Sequence, residues 1–229
     1  MFLDVRQRLH KLASDRPLLA FTAIGLICAT AAAAAPLSQV ETRADLVTAV
    51  EQAVATVAAP QPAPLQRVWE GADVDGDGRP DFANPTGQEP RGHDAYGEGE
   101  FGASRDGGSR RHEGVDFCAE AGQPVKAPIS GYVTKIGYAY AGDQTLKFVE
   151  ITNPALNYAA RVFYVNPQVD VGDAVAVGHP IGTARSLQRK YPRGMTNHVH
   201  LEIIDRRERR IDAARMIVAR YERPATTAD

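Results

Sequence analysis

With 229 residues the chain has room for one domain of ordinary size and its flanking segments, and not for two substantial cores. Lysine and arginine total 26 against 28 aspartate and glutamate, a formal net charge of -2, so no global field draws the chain onto nucleic acid or another acidic polymer. A composition 44% hydrophobic with 20 glycines and 15 prolines favours short strands and frequent turns over long helices.

In chain order, Arg6, Arg8, Lys11 and Arg16 precede an uncharged apolar stretch from Leu18 to Ala35, the layout of an export signal. Residues 1–35 are therefore expected to be a signal peptide or a membrane anchor. Small residues from Ala31 to Ala35 suit a signal peptidase, while Pro36 crowds the cut and the stretch is nearly long enough to span a bilayer. In either case the positive charges stay cytoplasmic and everything after Pro36 lies outside, in the periplasm or cell envelope, with the membrane touched only through this segment. Cys28 sits inside the apolar stretch behind Ile27, where a lipoprotein signal needs a small residue. Cys118 is then the single thiol of the exported part, expected to be buried and inert, and no internal disulfide staples the domain.

Residues 36–64 read as a spacer. Leu46, Val50, Val54 and Val57 recur at helical spacing, and the proline-rich run from Ala59 to Pro64 ends that helix in a stiff linker. Residues 65–95 contain Asp73, Asp75, Asp77 and Asp81 at alternating positions, with Gly78 permitting a sharp turn. This matches the first half of a calcium loop, although Asn84 stands where a complete loop wants glutamate. Residues 96–205 form the main domain. Runs at Val115–Cys118, Val125–Ala127, Gly131–Tyr138, Phe148–Thr152, Arg161–Val165, Ala174–Val177 and His198–Ile204 are punctuated by glycine and proline, which predicts an all-β fold, an antiparallel sandwich or a partly open barrel. Residues 206–229 hold an arginine-rich approach and a terminal helix marked by Ile211, Ala214, Met216 and Val218.

Two clusters bear chemistry. In His198-Val199-His200-Leu201-Glu202-Ile203-Ile204 the polar residues alternate with the period of a strand, so His198, His200 and Glu202 share one face while Val199, Leu201 and Ile203 face a core. In His112-Glu113-Gly114-Val115-Asp116 an imidazole and a carboxylate flank a flexible glycine at a spacing that lets both reach one ion. Two histidines and one aspartate around zinc leave a position for water, the arrangement of catalytic rather than structural zinc sites. Each cluster alone is also compatible with ordinary surface histidines.

Together the clusters resemble the lysostaphin-type, or LytM-domain, zinc metalloendopeptidases, which cut peptide cross-links of bacterial peptidoglycan. The resemblance runs from about Tyr96 to Asp205. It includes Arg111-His112-Glu113-Gly114-Val115-Asp116-Phe117, then Ala121-Gly122-Gln123-Pro124-Val125-Lys126-Ala127-Pro128 and Val171-Gly172-Asp173-Ala174-Val175-Ala176-Val177-Gly178-His179-Pro180-Ile181-Gly182, and closes with His198-Val199-His200-Leu201-Glu202. It implies one zinc ion held by His112, Asp116 and His200, with His198 catalytic, and peptidoglycan peptides as the substrate. Active members carry a further histidine in a Tyr-x-His-Leu stretch, where this chain reads Tyr164-Val165-Asn166-Pro167, so Asn166 marks a degenerate catalytic position. The same stretch is similar to the leukocyte-derived chemotaxin branch, regarded as zinc-binding without peptidase activity. That implies an alternative, a catalytically impaired zinc domain that binds cell wall or regulates a partner.

His179 sits in a Gly- and Pro-bounded turn and reads as a surface residue. Tyr96 and Tyr191 are within reach of a groove as hydroxyl donors, with aromatic packing the plainer role. A third reading comes from Val125-Lys126-Ala127-Pro128-Ile129-Ser130-Gly131 with Gly172-Asp173-Ala174-Val175, a pattern shared with lipoyl and biotinyl carriers. Export and the placement of Lys126 before Ala-Pro rather than at a hairpin tip argue against it.

Overall fold

The computed structural model describes residues 63–224 together with Val47, Thr48, Val50 and Glu51. The chain divides into two units, Met1–Pro62 and Ala63–Asp229. In the first, Val47, Thr48, Val50 and Glu51 are helical, within the amphipathic segment expected there. Val54, Val57, the apolar stretch Leu18–Ala35 and Cys28 lie outside the described residues. Among the described residues no helix is long and apolar enough to cross a membrane.

The second unit is built from strands β1 (Gln66–Gly71), β2 (Ser104–Arg105), β3 (Arg110–Arg111), β4 (Val115–Cys118), β5 (Pro124–Lys126), β6 (Gly131–Tyr140), β7 (Asp143–Asn153), β8 (Tyr158–Pro167), β9 (Ala174–Val175), β10 (Pro180–Ala184), β11 (His198–Ile204), β12 (Arg210–Ile211) and β13 (Ile217–Glu222), with a one-turn helix α1 (Ala213–Met216). The principal sheet runs β12-β11-β8-β7-β6-β9, with β4 added to β11 and β10 joining β8 to β5. Its ladders are antiparallel throughout. The sheet curls into a half-barrel, so the open-barrel expectation holds rather than the sandwich.

Alternation explains which side chains enter the core. Along β11, Val199, Leu201 and Ile203 are fully buried, and they meet Val115 and Phe117 of β4 and Val162 of β8 in one cluster with Val125, Ile129, Val149, Ile151 and Ile181. Side chains of this kind contribute about 1.5 to 3 kcal/mol each on burial. The opposite face of β11 is thereby committed to His198, His200 and Glu202.

Two expectations change. The terminal helix from Ile211 to Val218 is reduced to the single turn α1, and Ile217–Glu222 instead forms β13, paired with β1 from Gln66↔Glu222 to Gly71↔Ile217. The helical spacing misleads because β13 buries only Ile217, so no inward alternation marks it as a strand. Residues 65–95, set apart in sequence as an acidic loop segment, pack into the same unit as the strands that follow. Trp69 donates its indole N–H to the Gly87 carbonyl (2.9 Å) and packs edge-on against Phe117, while Phe82 is 1% exposed inside the core.

Candidate metal centre

His112 lies in the loop before β4, Asp116 on β4 and His200 on β11. The β4–β11 register sets His200 opposite Asp116 and Val199 opposite Phe117, so the metal-facing and core-facing sets alternate on both strands. Gly114 makes the approach of the first loop feasible. A Cβ there would lie 2.4 Å from the Leu201 carbonyl oxygen and 2.8 Å from the His200 ring.

Three donor atoms converge. His112 Nε2 is 2.9 Å from His200 Nδ1 and 3.2 Å from Asp116 Oδ1, and His200 Nδ1 is 2.9 Å from the same oxygen. His198 completes the cluster with Nε2 at 3.5 Å from Asp116 Oδ1. A tetrahedral zinc with ligand bonds of about 2.0 to 2.2 Å needs donors roughly 3.3 Å apart, so a small outward adjustment of these donors would seat an ion.

The outer hydrogen bonds say which lone pairs face inward. His112 Nδ1 donates to the Glu100 carbonyl oxygen (2.7 Å) and His198 Nδ1 to the Thr196 carbonyl oxygen (2.7 Å), so that in the neutral tautomer of each ring the Nε2 lone pair faces the cluster. His200 Nε2 faces the Glu202 carboxylate at 3.5 Å, and Glu202 in turn lies 3.4 Å from Arg210 and 3.7 Å from Arg161. Unshared imidazole nitrogens around a carboxylate are a donor set that fits a divalent cation. Without one, a proton must separate the facing nitrogens. Burial alone depresses the His200 pKa, but the Asp116 and Glu202 carboxylates outweigh it and push it up to about 9. Burial raises Asp116, and the hydrogen bonds from His112 and His200 more than reverse this, holding it well below the usual carboxylate range. For His198 burial wins and the pKa is lowered.

The second oxygen of Asp116 is taken by Arg91, a residue the sequence reading missed. The Arg91 guanidinium, 3% exposed, reaches Asp116 Oδ2 through Nη2 (2.9 Å) and Nε (3.2 Å), and through Nη1 it meets Asp94 (2.7 Å) and the Gly97 carbonyl (2.8 Å). Asp94 also accepts from the Thr196 backbone N–H (2.9 Å), tying this segment to the turn before β11. Gly99 lets the segment close in, since a Cβ there would lie 2.4 Å from the Arg91 carbonyl oxygen. No short motif announces Arg91; its signal is only that it is the one lysine or arginine between Arg79 and Arg105.

Asn166 is not part of the cluster. It is exposed on the part of β8 that pairs with β10, and its amide oxygen faces Arg185 at 3.4 Å. Two β8 residues reach the site: Phe163, edge-on to His200 at 5.1 Å, and Tyr164, whose ring stands edge-on to His198 at 5.3 Å. Tyr191 pairs with Tyr96 (5.1 Å between rings), and its hydroxyl also bonds that of Tyr140 (2.9 Å). His179 is exposed, as expected. Cys118 is half-buried with its thiol pKa raised by burial, and it is free among the described residues.

In the acidic loop Asp73, Asp75 and Asp81 approach one another, whereas Asp77 stands outside that group. Asp73 accepts from Gly76 and Gly78, Asp75 from Asp77, Asp77 from Arg79 and Asp81 from Val74, in each case a backbone N–H. These backbone bonds close the turn, and no observation beyond the approach of the three carboxylates supports calcium there.

Residues 110–213 match the sequence model of peptidase family M23. The chain is 28% identical over 95 residues to leukocyte cell-derived chemotaxin-2 of Bos taurus, which covers 41% of this chain and 60% of that protein, less than two thirds of its length. Among solved structures, the catalytic domain of the antimicrobial peptidase lysostaphin from Staphylococcus simulans superposes with TM-score 0.39 at 24% identity, covering 51% of this chain and 86% of that one. Csd3 of Helicobacter pylori superposes with TM-score 0.44 at 20% identity, covering 62% and 34%.

Proposed function

Taking the M23, lysostaphin-type fold and its His-Asp-His triad in residues 110–213 as the premise, we propose that the protein is a zinc-dependent endopeptidase of the cell envelope that hydrolyses peptide cross-links of peptidoglycan. The observation that supports it most is the convergence of His112 Nε2, Asp116 Oδ1 and His200 Nδ1 within 3.2 Å of one another, beside a third imidazole, His198, that is not needed as a ligand. Export through residues 1–35 agrees with a cell-wall substrate and is part of the same reading.

Zinc, when bound, lowers the pKa of a coordinated water to about 7 and polarises a carbonyl. The rest is done by the chain. His198, kept neutral by burial and oriented by the Thr196 carbonyl, presents a bare Nε2 able to take a proton from water and return it to the leaving amine. Arg91 keeps Asp116 Oδ2 engaged so that Oδ1 faces the ion, and Glu202 braces His200 from behind.

A second reading is a zinc domain that binds cell wall or a partner without cleaving. It is favoured by the similarity to the bovine chemotaxin and by a tyrosine rather than an imidazole projecting from β8 beside His198. The test is to load the purified protein with zinc and digest sacculi. Release of peptide fragments, lost with a chelator and with His198→Ala, is expected. Sacculus binding that persists with no fragments at any zinc level overturns hydrolysis in favour of the second reading.

A further inference from the structure

We propose that the Tyr164 hydroxyl donates a hydrogen bond to the substrate's carbonyl oxygen as the peptide bond is attacked, an assignment that rests on the hydrolytic reading above. The backbone singles this residue out. On one edge of β8 the pairing with β11 ends at Phe163↔His200, and the pairing with β10 begins at Val165↔Ala184. On the other edge the register with β7 steps from Phe148↔Phe163 to Lys147↔Val165. Tyr164 is thus skipped on both sides, a bulge at the fork of the sheet, and its φ of 67° is in the left-handed region that bulky residues avoid. Bulges re-aim a side chain, and here the ring is turned onto His198.

The hydroxyl so placed ends a chain. Tyr191 donates to Tyr140 (2.9 Å), and the Tyr140 and Tyr164 hydroxyls are 2.7 Å apart. Each phenol carries one proton. With the Tyr191 proton given to Tyr140, and Tyr140 having no other hydroxyl partner, the Tyr140 proton goes to Tyr164. The proton of Tyr164 is left without an acceptor among the described residues. Burial raises the pKa of all three phenols, so the chain stays protonated, and the field of Asp116 reaches Tyr140 and Tyr164. A half-buried donor with a spare proton beside His198 is suited to an acceptor that arrives with substrate.

In the step itself a bond forms between water's oxygen and the carbonyl carbon, and the carbonyl π pair moves onto its oxygen. The water proton goes to His198. Tyr164 keeps its O–H bond and stabilises the developing charge, while Tyr140 and Tyr191 behind it polarise that O–H.

The experiment uses the full zinc-loaded chain with Tyr164→Phe and Tyr140→Phe. Three quantities are read: bound zinc, turnover of sacculi, and affinity for a phosphinic dipeptide whose tetrahedral anion mimics the attacked carbonyl. Tyr164→Phe is expected to retain zinc, lose roughly 100-fold in kcat with little change in KM, and bind the phosphinate at least about tenfold more weakly. Tyr140→Phe should show a smaller loss in both, because the donor remains and only its polarisation is reduced. Phosphinate affinity unchanged by Tyr164→Phe overturns the assignment. If the wild type turns over no substrate while the phosphinate loss is still seen, hydrolysis is refuted and the catalytic role falls with it, leaving Tyr164 as a donor to a bound anion only.

Discussion

At the scale of single residues, the centre depends on a guanidinium as much as on its imidazoles. Arg91 opposes the charge of an incoming cation, yet it fixes which oxygen of Asp116 is presented, and outer partners of metal ligands typically change affinity by about 10- to 100-fold. Arg91→Met is therefore expected to weaken zinc by that factor in a chelator competition. Arg91→Lys should fall between, since an ammonium supplies charge without the fork that spans Asp116 and Asp94. Zinc affinity untouched by Arg91→Met would remove the positioning role. His112 with Asp116 and His198 with His200 were legible as local pairs, through a five-residue loop and strand alternation, and the family resemblance joined the pairs across the 84 residues that separate Asp116 from His200. Arg91 and Tyr164 were not, for different reasons. Arg91 meets Asp116 across 25 residues. Tyr164 depends on a bulge and a left-handed φ, costing about 1 to 3 kcal/mol, that no pattern of hydrophobicity records; the family's Tyr-x-His-Leu stretch pointed to Asn166 instead.

At the scale of elements, β4 and β11 match the expected runs to the residue, since both have one face in the core. β10 went unseen because Pro180 and Gly182 read as turn, although the strand is held by partners on both sides. The short β11–β12 connection is organised by Asp205, which accepts from the backbone N–H groups of Arg207 and Arg209 and from the Arg209 side chain. The Arg209 bond chiefly, against a smaller effect of burial, lowers the Asp205 pKa to about 2. A depressed folded-state pKa means that the contribution is complete above the unfolded value near 3.8 and lost as pH falls through 2. Asp205→Asn should thus lower the urea midpoint at pH 5 and converge with wild type at pH 2. An equal difference at both values would show that the carboxylate charge is irrelevant.

At the scale of the whole molecule, the span matched by the M23 family is not the whole folding unit. Phe82 enters the core, β1 pairs with β13, and backbone bonds from Cys118 to Glu89, from Arg91 to Asp116 and from Lys126 to Pro85 join the earlier segment to the family's strands. A fragment of residues 110–213 is expected to bind zinc at least tenfold more weakly than residues 63–224 and to lack a cooperative thermal transition. Equal behaviour of the two would make the 63–109 segment an appendage. The 65–95 region read as an acidic loop segment in sequence because its alternating aspartates dominate its pattern, while the anchoring residues Trp69, Phe82 and Arg91 are isolated points within it.

The acceptors that hold His112 and His198 in orientation are main-chain oxygens, at Glu100 and Thr196, whose side chains are exposed. The tautomers are consequently indifferent to what side chain occupies either position and sensitive to the path of the two turns. Residues 100 and 196 are free to drift, or to be used as labelling handles, whereas inserting or deleting a single residue in either turn would rotate an imidazole away from the ion without altering any ligand.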